Sequence, residues 1–111
     1  MPTRTVNVGT TATPLLYYNN RRTTASFLNN GGETIFVSND QANIQGNGFP
    51  IGVGGALDLV RALGDEPHIQ WYAESAGGGD DMRVLEGYGA LPLLYVPPNR
   101  ESTAGLEEGR V

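Results

Sequence analysis

The chain of 111 residues contains no cysteine and no lysine, and only one histidine and one tryptophan. Without cysteine there is neither a disulfide framework nor a thiolate metal site, and the redox compartment leaves no mark. All 7 basic residues are arginine, set against 12 Asp and Glu, for a net charge of -5. That balance argues against nucleic acid as a partner, because neutralising phosphates takes a surplus of basic groups. An all-arginine set suits persistent, forked contacts between proteins. No window approaches the ~18 apolar residues of a membrane span. The segment Met1 to Thr10 lacks the basic start and apolar run of a signal peptide. These absences lead us to expect one soluble, acidic domain with no membrane and no nucleic acid among its partners.

Glycine is abundant instead, at 16 residues, about twice its usual share of roughly 7%. It falls with asparagine in clusters at Asn19-Asn20, Asn29-Asn30-Gly31-Gly32, Asn39-Asp40, Gly46-Asn47-Gly48, Gly54-Gly55 and Gly77-Gly78-Gly79-Asp80. Such clusters are turn chemistry, and their spacing is that of a β-sandwich or barrel. The runs between them are Arg4 to Val8, Thr13 to Tyr18, Thr23 to Leu28, Glu33 to Ser38, Ala56 to Arg61, His68 to Glu74 and Asp81 to Glu86. They are rich in β-branched and aromatic residues and alternate with period two. Ala25 with Phe27, Ile35 with Val37, Leu57 with Leu59, and Ile69 with Trp71 and Ala73 share the faces expected to form the core. The pattern predicts an all-β antiparallel sandwich of about seven short strands. Thr23–Leu28 and Glu33–Ser38 read as the clearest hairpin. Gly55 to Leu63 has roughly helical spacing, but flanking glycines favour a strand running into a loop.

The two ends fit the pattern less well. Residues 1 to about 8 read either as a free arm or as an edge strand. After residue 87 the apolar run Leu91-Pro92-Leu93-Leu94-Tyr95-Val96-Pro97-Pro98 is broken by prolines that no central strand accommodates. A sandwich domain at 1–87 and an extended C-terminal arm at 88–111 are therefore expected. In the arm, Leu91, Leu93, Leu94, Tyr95 and Val96 would bury apolar area either in a neighbour's groove or as an eighth strand of their own domain.

Groups for catalysis are few. His68 sits among alternating residues, and Ser26, Ser38, Ser75 and Ser102 lack a G-x-S-x-G context. No catalytic residue, cofactor or metal is expected. A weak Ca²⁺ site at Asp65-Glu66 or Asp80-Asp81 stays open, although neither has the spaced ligands of an EF-hand loop. Gly52-Val53-Gly54-Gly55 has Leu57 where a dinucleotide fingerprint needs its third glycine. Arg21 and Arg22 read as salt-bridge or carboxylate contacts of an interaction surface. Tyr17, Tyr18, Phe36, Tyr72 and Tyr88 are divided between core and interface.

The order of short motifs is Val8-Gly9-Thr10-Thr11-Ala12-Thr13, Asn19-Asn20-Arg21-Arg22, Phe27-Leu28-Asn29-Asn30, Gly48-Phe49-Pro50-Ile51, Leu57-Asp58-Leu59, Trp71-Tyr72-Ala73-Glu74-Ser75-Ala76-Gly77 and Asp81-Met82-Arg83-Val84-Leu85-Glu86. Over residues 6 to 87 this order resembles small β-sandwich structural proteins of tailed bacteriophages, of the capsid decoration (cement) or head-fibre type. The resemblance implies a virion protein on the capsid surface, with the major capsid protein as partner and self-association, a trimer being favoured. It brings no active site. Two other readings stand beside it: a head-fibre or tail module binding host-surface glycan, and a small hydrolase using His68.

Overall fold

A computed structural model of the chain describes residues 3–89. The expected arm from residue 90 onward, with Leu91, Leu93, Leu94, Tyr95 and Val96, lies outside the described residues. Eight strands form among the described residues: β1 (Thr3–Val8), β2 (Thr13–Leu16), β3 (Thr24–Asn29), β4 (Ile35–Ser38), β5 (Phe49–Ile51), β6 (Ala56–Val60), β7 (Trp71–Ser75) and β8 (Asp80–Gly87). One short helix, α1 (Ile44–Asn47), links β4 to β5, and a 3-10 turn, Arg61–Leu63, follows β6. The strands make two four-stranded sheets, ordered β1-β8-β3-β6 and β2-β7-β4-β5. Every pairing within them is antiparallel.

The expected all-β sandwich is what the chain forms. Both sheets contribute to one core: Val8, Phe27, Met82 and Val84 from the first, Leu15, Leu16, Ile35, Val37 and Ala73 from the second. Phe27 meets Trp71 across the core with ring centroids 6.0 Å apart. The alternation puts Ala25, Phe27, Ile35, Val37, Leu59 and Ala73 inside with Leu57 and Trp71 packed against them, because one face of each strand must be buried when two sheets stack, whereas Ile69 precedes β7 and is only half-buried. Thr3–Val8 resolves as an edge strand, β1, paired along its length with β8. The segment after Gly55 is a strand and then a single 3-10 turn, not a helix.

Three details differ from expectation. The additional strand, β5, has only three residues and carries Pro50, so it shows no alternation, and it survives because it pairs on one side only, with β4. His68 lies in a turn, since its carbonyl accepts the Asn19 N–H and is thereby withdrawn from a ladder.

The third difference concerns the expected hairpin. β3 pairs with β6 and β8, whereas β4 pairs with β5 and β7. The Asn29–Glu33 connection is thus an arch from one sheet to the other, and all connections but β4–β5 change sheet in the same way. The buried side chain of Asn29 holds the arch. Its Nδ2 donates to the carbonyls of Glu33 and Ile51, both at 2.8 Å, and its Oδ1 accepts the Gly31 N–H at 2.9 Å. Glycine is needed at position 31 for closeness of approach. A Cβ there would stand 2.8 Å from the Cβ of Asp80, so a neighbour would have to move. Gly31→Ala is expected to lower stability by about 1–3 kcal/mol, as overpacking does; urea unfolding of the purified variant measures it.

The inward row of β8 reads Asp80, Met82, Val84, Glu86, all buried. Its middle is core, and each end is a carboxylate that seals one end of the sandwich. The two ends are chemically opposite.

Candidate interaction surface

Glu86 closes the first end. Its Oε2 accepts Nε of Arg4 on β1 at 3.0 Å, and its Oε1 accepts Nε of Arg22, in the β2–β3 loop, also at 3.0 Å. Tyr88 adds a donor through its hydroxyl. Arg22 is buried, and its Nη1 donates to the carbonyls of Tyr17 at 2.8 Å and Pro67 at 3.1 Å. Arg4 reaches the Leu15 carbonyl from the opposite sheet. Burial alone pushes the Glu86 carboxyl up, but the hydrogen bonds from Tyr88, Arg22 and Arg4 outweigh it and hold the group below the usual carboxylate range. A residue expected to face a partner, Arg22, is therefore taken up inside the fold. A guanidinium with several donors can satisfy a buried carboxylate and two carbonyls at once. Arg21 differs from its neighbour and remains exposed.

This network fixes the backbone under an exposed aromatic surface. Strand β2 stops at Leu16, so Tyr17 and Tyr18 leave the sheet and stand 66% and 65% exposed. Arg22 binds the Tyr17 carbonyl from below, and its guanidinium lies 5.9 Å from the centre of the Tyr88 ring. Tyr88 is itself 42% exposed. The Tyr18 ring meets His68 edge-on, centroids 6.3 Å apart, and the Asn19 N–H donates to the His68 carbonyl at 2.8 Å. Three tyrosines, His68 and Arg21 thus gather at one end of the sandwich. Gly89, the last described residue, follows Tyr88 at that same end. Matched against protein-family models, curated proteins and solved structures, the sequence has no counterpart that meets the threshold for similarity.

The remaining candidates resolve individually. His68 makes no side-chain hydrogen bond to a carboxylate or hydroxyl among the described residues, and its Nδ1 is buried. Ser75 is wholly buried and accepts the Gly78 N–H. The adjacent Asp80 and Asp81 point to opposite faces of β8, as neighbours on a strand must. Asp81 pairs outward with Arg83 at 2.9 Å and accepts Asn30 Nδ2, also at 2.9 Å. These bonds, Arg83 first, hold its carboxyl below the usual range. Asp65 accepts the Val60 N–H, and the Glu66 carbonyl accepts Trp71 Nε1. Neither acidic pair converges, and among the described residues no three His, Asp or Glu side chains come together as a metal site would require. Phe36 and Tyr72 are half-buried.

Arg4, Glu86 and the Glu33–Asp80 contact escaped the sequence reading. A signal existed for two of them: Asp80 and Glu86 lie in phase with Met82 and Val84, and a charge on an apolar phase marks a buried partner.

Proposed function

We propose that this protein is a non-enzymatic virion component, a capsid decoration (cement) protein of a tailed bacteriophage. It meets the major capsid protein and further copies of itself, as a trimer, through the end that carries Tyr17, Tyr18 and Tyr88. The single observation supporting this is the exposure of three tyrosines on a base held rigid by a buried ion network. Tyrosine gives a large contact area at small entropic cost, and a fixed backbone lowers that cost further. The motif order over residues 6 to 87 supplies the virion context.

The test is co-sedimentation of the purified full chain with expanded empty heads of a phage carrying this sequence. Saturable binding is expected. A Tyr17→Ser, Tyr18→Ser double variant should lose at least about tenfold in affinity, while its stability stays within about 0.5 kcal/mol of the parent. Absence of co-sedimentation would sink the reading.

Exposed tyrosines also favour a second reading, stacking on the sugar rings of a host-surface glycan by a head-fibre or tail module. A glycan array separates the two: hits lost in the same double variant support the glycan module, and their absence leaves decoration.

A further inference from the structure

At the end away from the tyrosines, Asp80 is 7% exposed. Its Oδ1 accepts the Gly32 N–H at 3.1 Å. Its Oδ2 is buried and receives no well-formed hydrogen bond. The acid that meets it is Glu33, at the foot of the β3–β4 arch, in hydrogen-bond contact with Asp80. Glu33 is held in place by the Gly77 N–H, which lies 3.2 and 3.1 Å from its two oxygens. The Glu33 carboxyl lies directly against this turn, since a Cβ on Gly77 would stand 2.5 Å from Glu33 Oε2.

Among the described residues no cation offsets this pair. The arch contributes Glu33 as its only titratable group, and β1 places Val8 opposite Asp80. The β7–β8 turn consists of Ala76, Gly77, Gly78 and Gly79, and Ser75 before it contributes a hydroxyl that hydrogen-bonds Asp80. Asp81 and Arg83, the charged residues next along β8, are paired with each other. Two ionised carboxylates only accept and only repel, whereas one proton between them makes the contact a hydrogen bond. The N–H groups of Gly32 and Gly77 already occupy lone pairs of these carboxyls and by themselves favour the ionised forms; what favours a proton is the contact of two carboxyls with no cation between them.

We propose that Glu33 and Asp80 bind one shared proton, which clasps the β3–β4 arch to the β7–β8 turn and makes this end of the sandwich tighten in acid and loosen toward neutral pH. The proton resides on Glu33 and is donated to Asp80 Oδ2. The hydrogen bond with Asp80, burial and the Asp80 charge all raise the Glu33 carboxyl above its ordinary 4.5. Burial pushes Asp80 up, but hydrogen bonds from Ser75, Gly32 and Glu33 bring it below its ordinary 3.8. The signs are opposite. The Glu33 contribution is complete below 4.5 and is lost as pH rises through its raised value. The Asp80 contribution is complete above 3.8 and is lost as pH falls through its depressed value. The clasp is strongest in the mildly acidic window between the two folded values.

Glu33→Gln tests this in the full-length protein, with chelator present. The amide keeps an oxygen for the Gly77 N–H and supplies a permanent donor to Asp80 Oδ2. Thermal midpoints of parent and variant are compared from about pH 4.5 to about pH 7, the range in which carboxylates lose their last protons. The variant should gain on the parent steadily as pH rises, by a few degrees at neutrality. A difference that is flat with pH overturns the proposal. Carboxyl ¹³C shifts of the parent provide a second measurement, independent of the variant's folding. Glu33 should titrate above an ordinary glutamate, and an ordinary value counts against the clasp. Calcium chloride added without chelator should leave the parent's midpoint unchanged; a rise that Glu33→Gln abolishes would make the pair a metal site and refute the shared proton.

Discussion

Glu86→Ala is expected to cost about 3–5 kcal/mol, because it leaves a buried arginine without its counter-ion. Arg22 is 4% exposed, and with Glu86 removed its Nε has no acceptor, while Nη1 stays tied to the carbonyls of Tyr17 and Pro67. Arg4, being partly exposed, can turn to water and adds less. For a domain of this size the loss is a large share of the total, so the variant should sit near its unfolding transition at room temperature. Equilibrium urea unfolding at neutral pH measures it, with a lowered midpoint and an unchanged slope expected. Replacing both partners, Arg22→Met with Glu86→Leu, should recover part of the loss, and the sum of the single costs should exceed the cost of the double change. Acid should produce the same weakening in the parent. The Glu86 carboxyl is depressed, so its contribution is present above the ordinary 4.5 and is lost as pH falls through the folded value.

The second large effect is expected at Asn29, which is wholly buried in the arch between the sheets. Asn29→Asp keeps the shape and reverses one polarity. The two carbonyls that now accept from Nδ2, those of Glu33 and Ile51, would face a carboxylate oxygen instead. Each lost bond leaves a buried acceptor unpaired at about 1–3 kcal/mol, more where charge is involved, so a total near 4 kcal/mol is expected. Urea unfolding again measures it. Amide hydrogen exchange should show the loss first at Asn29 and Gly54, whose N–H groups donate to the Gly55 and Asn29 carbonyls respectively. If Asn29→Asp unfolded with the parent's midpoint, the arch would not be held by this side chain.

What the sequence showed and what it hid divide along physical lines. Period-two patterning identified the buried faces of β3, β4 and β7, since Ala25, Phe27, Ile35, Val37 and Ala73 must lie inside whichever strands they pair with. It could not say which strands pair. Asn29-Asn30-Gly31-Gly32 is compatible with a hairpin and with an arch, and what selects the arch is an acceptor at Ile51, 22 residues along the chain. The Arg22–Glu86 pair spans 64 residues in the same way. A basic residue beside another in a polar loop gives no sign that one will be buried and its neighbour exposed. The tyrosines at 17 and 18 were recognisable as candidates, and their exposure follows from β2 ending at Leu16, a boundary that Thr13 to Tyr18 as one apolar run obscures. Asp80 and Asp81 looked like a pair; the strand separates them and gives Asp80 a partner from the arch.

The most direct test of the proposed docking end is hydrogen–deuterium exchange of the full-length protein, free and bound to expanded heads. Docking through the tyrosine end should slow exchange at residues 17–22, around His68 and at Tyr88, and leave Gly31, Gly32 and the β7–β8 turn unchanged. Protection confined to the outer face of either sheet, or to the Glu33–Asp80 end, would contradict it.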